Sequence, residues 1–483
     1  MKSEKQSTGT GLFALAFGLF LGLAILKFGN PVILDQKITP PASAAEFWAD
    51  AWPPHWGNWI LLPLALAGAG LGLSRRLQWP GTRQLWLLPL LWFGWQLLSA
   101  TQTVDGNLTA ATLCQFAGCL AGYFIGALVL GRERAWQWLL IGILAAFAFC
   151  LIRGINQRLF EFPQSRQMLL EGQRTGWTNI PPEMFAEMKR DQAVIPTNGV
   201  YVPNPVILTK FAKGRVMGTL VYPNALAGLV LLLLPVSLVL AFNSSRRLRP
   251  PLPAAVTALT ILLGGMAFFW TGSKLGWLMA MAMGGICLFR LPWPIRLKGA
   301  ALIAVFVIGL GIFAVRFHGY FAAGATSVGA RFDYWRAAAK TTFSHPLLGT
   351  GPGTFQRPYA QIKSPNAEMA RLTHNDYLEQ FSDSGLVGGT LYGAWIVLSL
   401  ATIGRRVWHS TDPVIFAIFL GVFAWFLQGL GEFGLYVPAL AWTAFTLSGF
   451  LLAAAENHTR NLEQASENVG VALHRFGGQS VNA

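Results

Sequence analysis

Residues 220–242 read LVYPNALAGLVLLLLPVSLVLAF, twenty-three residues without a charged side chain. A helix rises 1.5 Å per residue, so about 20 apolar residues cross a hydrocarbon core of about 30 Å. This stretch is long enough to do so, and Gly11–Phe28, broken only by Lys27, reads the same way. The chain has 483 residues, 53% hydrophobic and 12% charged, against about 25% charged in an ordinary soluble domain. That balance excludes a soluble enzyme, a disordered chain and a disulfide-stapled secreted protein. Cys114, Cys119, Cys150 and Cys287 all fall inside apolar blocks with no CxxC spacing, which points to small buried thiols, not a metal site or disulfide framework.

Working outward, the pattern predicts an all-α polytopic membrane protein of about twelve spans: 11–28, 57–74, 84–102, 107–130, 136–152, 219–242, 253–270, 275–289, 299–315, 385–402, 413–431 and 435–454. The first block resembles a signal peptide, with Lys2 and Lys5 ahead of it and Ala42-Ser43-Ala44 after it. Its apolar run is too long and the small residues too distant, so it reads as an anchor. Five spans (1–152) precede a first long loop (153–218). Four more (219–315) precede a second (316–384), three follow (385–454), and a polar tail (455–483) closes the chain.

The formal charge is +15, from 36 Lys and Arg against 21 Asp and Glu. Seventeen of these cations, from Lys2 to Arg475, fall on one side of the predicted topology. Only Lys27, Lys37 and Lys274 occupy short segments on the other side. The positive-inside rule then puts both termini in the cytoplasm and both long loops outside. Loops of this length are usually functional, and each carries five acids against nine and seven cations respectively. The basic balance therefore points to membrane lipids and an anionic external partner, not nucleic acid.

The chemistry-bearing residues collect in and beside those loops. Lys210, Lys213 and Arg215 put three cations in six residues. They read as a diphosphate clamp, Arg offering a planar fork for phosphate oxygens, or as snorkelling interfacial cations. Tyr222-Pro223-Asn224 reads as a cavity lining or a helix cap. Lys274, in the turn Thr271-Gly-Ser273-Lys274, reads as a headgroup contact or a tolerated surface lysine. Phe332, Trp335, Ala339 and Phe343 recur at helical spacing with Arg331, Arg336 and Lys340 between them, as in an interfacial amphipathic helix. The glycines of Leu348-Gly-Thr-Gly-Pro-Gly353 predict a tight backbone turn. Asn375, Glu379, Ser382 and Asp383 form a polar helical stripe. His374 stands beside it, a candidate general base or a structural histidine. No acid or base falls mid-span in these limits, which disfavours an ion-coupled transporter. No Walker motif or D-x-D pair is present.

The ordered motifs G-R-V-M-G-T-L-V-Y-P-N-A-L-A-G, T-G-S-K-L-G, A-R-F-D-Y-W-R-A-A, P-L-L-G-T-G-P-G-T-F and T-H-N-D-Y-L-E-Q-F-S-D-S-G span roughly Gly214 to Thr402. Together they resemble the bacterial O-antigen ligase/polymerase family. The resemblance implies a C-type glycosyltransferase fold that moves a glycan from undecaprenyl diphosphate to a hydroxyl acceptor at the outer face, without metal or other cofactor. The acceptor is the lipid A core in ligases and a second lipid-linked glycan in polymerases. By position Arg215 matches the family's diphosphate-binding arginine and His374 its proposed base. Lys274 stands where the family usually has arginine, keeping the charge but losing the bidentate fork. Arg331 and Asn375 are expected to orient the sugar or the histidine, with Lys213, Tyr222 and Asn224 completing the substrate site. A non-catalytic polysaccharide flippase is the reading from another class; it expects cations through the membrane, whereas these lie at the surface.

Overall fold

The computed structural model describes residues 2–74, 79–80, 82–132, 136–245, 252–322, 326–365 and 367–456. Within them every expected span falls on a helix. Among the described residues nine helices are long and apolar enough to cross a membrane, including Gly9–Lys27, Trp136–Arg174, Pro223–Asn243, Ile295–Tyr320, Asp376–Trp408 and Pro438–Glu456. The expected spans 84–102, 275–289 and 413–431 fall on helices of 16 or 17 residues, Gln84–Ser99, Lys274–Arg290 and Pro413–Gln428. The protein is a polytopic, essentially all-α membrane protein. Several cations used to orient it, including Arg75, Arg76, Arg246 and the tail's Arg460 and Arg475, lie outside the described residues.

Burial orders the bundle. Pro438–Glu456 is 94% buried, whereas Ile295–Tyr320 is 6% buried, so the first forms the centre and the second is left for lipid to cover. Small residues let the helices approach closely. A Cβ on Gly18 would sit 2.2 Å from the carbonyl oxygen of Leu139, where helix Lys2–Lys27 crosses Trp136–Asn156. Lys27, the one charge in that first apolar block, ends its helix. Its ammonium donates to the carbonyls of Phe47, Trp48 and Asp50 at 2.7–3.0 Å.

Three expectations need correction. The first long loop is a folded unit: Trp136–Asn156 continues through a π turn into Phe162–Arg174. Two further helices, Pro182–Arg190 and Pro205–Lys213, then flank an antiparallel hairpin, Val194–Thr197 with Val200–Pro203. Its Asn198-Gly199 turn has positive φ at both residues, the signature of a tight hairpin, and Leu169, Trp177, Met188 and Val194 give the unit its own core. Second, the span expected to start at residue 385 is continuous with the polar helical stripe ahead of it, in one element from Asp376 with non-helical geometry at Ser384 and Gly385. Glu379 and Asp383 therefore lie inside a span, fully buried. They are held there by backbone donors: Gly353 N–H to Asp383 at 2.6 Å and Thr373 N–H to Glu379 at 2.5 Å. Third, Cys119 and Cys150 are buried but Cys114 and Cys287 are exposed.

Other expectations hold. Helix Thr326–Ser344 turns Phe332 and Phe343 outward, 57% and 75% exposed. Its opposite face packs Tyr334, Ala337 and Ala338 with Phe355 and Tyr359. Gly349, Gly351 and Gly353 all have positive φ, and the backbone N–H of Gly351 donates to the Asp383 carbonyl at 2.9 Å. The glycine-rich stretch is a tight turn that braces the buried acid.

Candidate functional site

Five helix ends and connections meet on the face of the bundle that carries both long segments, around a cavity of about 530 Å³. Its lining includes Arg215, Asn224, Lys274, Arg331 and His374, from segments far apart in the chain, and also Glu432.

Glu432 is the hub. Its carboxylate is 4% exposed and accepts from Arg331 Nη2 at 2.6 Å and Asn224 Nδ2 at 2.7 Å. Tyr222 Oη lies 3.5 Å from its other oxygen, and His374 Nδ1 stands 3.7 Å from that oxygen. Asn224 passes the network on, its Oδ1 accepting from Arg215 Nη2 at 2.7 Å, while Arg215 Nε donates to the Thr271 carbonyl at 2.6 Å. One buried carboxylate thus holds two guanidinium groups in place, one of them through an amide. Lys274 stands on the ring of Tyr320, 3.7 Å from its centre.

The electrostatics follow from this crowding. Burial, foremost, lowers the pKa of Arg215; Glu432 opposes, and Arg331 and Arg316 add to the lowering. Lys274, just ahead of the apolar stretch 275–289, is pushed down to about 8, by burial first and then by Arg215, Arg331, Lys213 and Arg316. Of these four cationic neighbours only Arg331 is ion-paired with a carboxylate among the described residues, which makes this a place where bound negative charge is stabilised. Asp333 and Glu368 also line the cavity, but both are exposed.

His374 is fixed by the chain on either side. Its φ is +54°, a left-handed conformation that costs a non-glycine residue about 1 kcal/mol or more. Thr373 holds the bend, its hydroxyl donating to the Asn375 carbonyl at 2.8 Å and accepting from the Asn375 N–H at 3.1 Å. The imidazole sits between Tyr334 and Phe433, at 6.0 and 4.8 Å between ring centres, and buried Nδ1 has no hydrogen-bond partner. The loop that carries Glu432 is tied to the same segment. Asn375 Nδ2 donates to the Leu430 carbonyl at 2.9 Å, Asp376 N–H to the carbonyls of Gly429 and Glu432, and Leu435 N–H to the Asp376 carboxylate. Histidine and glutamate are therefore registered against each other by backbone.

Of the residues singled out from the sequence, Arg215, Asn224, Lys274, Arg331 and His374 come together. Tyr222 stands behind them, stacked on Phe433 at 4.6 Å. Asn375 does not line the cavity; its Oδ1 caps helix Asp376–Trp408 by accepting from Tyr377 and Leu378. Lys213 ends its own helix, exposed, and acts on the cavity only through its charge on Lys274. Glu432 was missed, although the sequence carries a signal. It is the only charged residue between Pro413 and Ala455, and an isolated charge between apolar helices is seldom idle.

No curated protein matches the chain. Residues 258–393, which hold Lys274, Arg331 and His374, match the family model described as O-antigen ligase. Arg215, Asn224 and Glu432 lie outside the matched stretch and reach the same cavity through the fold. Over this segment the chain is similar to the O-antigen ligase family, and the match supports a membrane enzyme of the O-antigen ligase/polymerase type.

Proposed function

We propose that the protein is a glycosyltransferase of the ligase type, moving a glycan from undecaprenyl diphosphate to the lipid A core at the outer face of the bacterial inner membrane. The observation that carries this reading is the convergence of Arg215, Lys274 and Arg331 with His374 around buried Glu432. Arg215 and Lys274 have no ion pair with a carboxylate among the described residues, and their two positive charges match the two ionised oxygens of a diphosphate diester.

In this mechanism Arg215 and Lys274 bind the diphosphate and stabilise the negative charge that grows on it as the anomeric C–O bond breaks. Side chains supply the positive charge, so no metal ion enters the scheme. His374 Nε2 takes the proton of the acceptor hydroxyl as its oxygen attacks the anomeric carbon opposite the leaving diphosphate, inverting that centre. Nδ1–H then points toward Glu432, which stabilises the imidazolium as it forms. Arg331 holds Glu432 in place through their ion pair. The diphosphate leaves on its polyprenyl tail between the apolar helices.

The test is transfer from a purified undecaprenyl-diphosphate-linked glycan to lipid A core in proteoliposomes. His374→Ala is expected to lower turnover by about 100-fold or more, and Arg215→Ala to abolish detectable transfer. Unchanged transfer in both variants would sink the mechanism. A product that lengthens the donor glycan without joining lipid A core would reassign the protein as a repeat-unit polymerase with the same chemistry.

A further inference from the structure

A second polar cavity of about 490 Å³ opens on the same face and takes no part in the chemistry above. It lies between the connection after the first helix, the start of Gly106–Leu128 and the short helix Gln356–Ile362. That short helix is shared: Gln356 and Arg357 line the second cavity, while Tyr359 lines the first. The segment that follows alternates likewise, Glu368 and His374 facing the first and Arg371 the second.

Its charges are partly spent. Asp35 accepts from the backbone N–H of His55 at 2.9 Å, and both its oxygens lie 3.0 Å from His55 Nδ1. Asp105 accepts from Arg357 Nε at 2.8 Å and Nη2 at 2.5 Å, and from Leu108 N–H at 3.2 Å. Both acids are therefore occupied by partners inside the protein. Lys37 and Arg371, exposed on the same lining, have no carboxylate partner among the described residues. The charge left for a ligand is positive.

The neutral lining is rich in primary amides: Gln36, Asn58, Asn107 and Gln356. An amide presents donor and acceptor together, the complement of a sugar hydroxyl, which does the same. Asn58 Oδ1 is buried without a hydrogen-bond partner. Such an atom is costly unless a donor reaches it, and a ligand hydroxyl in the cavity is a suitable donor.

We propose that this cavity is a saccharide subsite for an acidic oligosaccharide, whose carboxylate or phosphate pairs with Lys37 and Arg371 while its hydroxyls meet the amides. The occupant belongs either to the acceptor glycan or to the part of the donor glycan remote from the diphosphate. Binding here needs no glycosyl transfer, so the proposal stands or falls separately from the mechanism.

The test uses the full-length protein in nanodiscs, titrated calorimetrically with tri-galacturonate and with neutral maltotriose. Tri-galacturonate is expected to bind at least about tenfold more tightly. The double variant Lys37→Ala/Arg371→Ala should lose about tenfold or more of that affinity, since charge-assisted hydrogen bonds are among the stronger contacts. Asn58→Leu should weaken both probes, whereas Arg215→Ala, in the other cavity, should leave both unchanged. No binding, equal binding of the two probes, or a loss confined to Arg215→Ala overturns the proposal. With an acidic glycan in the transfer assay, the double variant raises KM for the acceptor if the acceptor occupies the subsite, and for the donor if the donor does. An unchanged KM for both also overturns it.

Discussion

At the scale of single residues, two groups decide the chemistry and their readability differs. His374 stands in a motif and could be singled out from the sequence; Glu432, 58 positions later, has no motif, and only folding shows that it meets Arg331 and His374. Asn375 shows the reverse. It sits beside the histidine and looks like a ligand residue, yet it caps a helix, because an Asn before a helical run is also a preferred N-cap. Glu432→Gln preserves size and hydrogen-bonding reach but removes the charge that supports an imidazolium. Its expected effect is a fall in kcat of about 100-fold or more, with KM for the donor no higher, since Arg215 and Arg331 lose an opposing charge. Steady-state kinetics with lipid-linked donor separate the two parameters. Lys274 gives a pH prediction. With its pKa pushed down to about 8, it is charged below that pH and neutral above it, so KM for the donor should rise as pH passes through 8. Lys274→Arg keeps its charge throughout and should flatten that arm of the pH profile. An identical alkaline arm in the two proteins would exclude Lys274 as its source.

Elements were legible where apolar length alone defines them and less so where polar groups are buried. The twelve expected stretches are all helical, because a 20-residue apolar run in lipid has few alternatives to satisfying its backbone within a helix. The span of Asp376–Trp408 was begun too late because the polar helical stripe with Glu379, Ser382 and Asp383 was placed ahead of it, although backbone and side-chain donors around the two acids make their burial tolerable. The expected start at Gly385 nevertheless marks a real feature. Gly385 has φ 69° and ψ −173°, a region essentially closed to other residues. A Cβ there would lie 2.2 Å from the Leu347 carbonyl oxygen. The break kinks the helix, so that its start follows directly on His374 at the cavity while the rest crosses the bundle. Gly385→Ala should therefore cost about 1–3 kcal/mol or more, read as a fall of several degrees in Tm in detergent and a parallel loss of transfer. Gly393→Ala is the control: it lies in the same helix with nothing within 4 Å of its Cβ. It should leave Tm unchanged or slightly raised, since alanine favours a helix over glycine by up to about 1 kcal/mol.

At the scale of the whole molecule, both cavities, both long segments and every cation placed in a binding role lie on one face of the bundle. The bias in Lys and Arg along the sequence predicts that this face is the outer one, and the proposed mechanism depends on that prediction, since a lipid-linked donor must be met on the side where its glycan is displayed. Neither the cavities nor the helices carry that information by themselves: a bundle turned over would keep every distance given above. The sidedness therefore has its own experiment. Asn198, at the tip of the hairpin in the first long segment, and His409, at the opposite end of Asp376–Trp408, are both exposed. Cysteine introduced at either should react freely with a maleimide, in a Cys114→Ser/Cys287→Ser background because both native thiols are exposed. A membrane-impermeant maleimide is expected to label Asn198→Cys in spheroplasts, and to label His409→Cys only after lysis. The inverse pattern would place Arg215, His374 and Glu432 in the cytoplasm. The proposed acceptor would then be out of reach, even though the family, the helices and the geometry of the cavity stood as described.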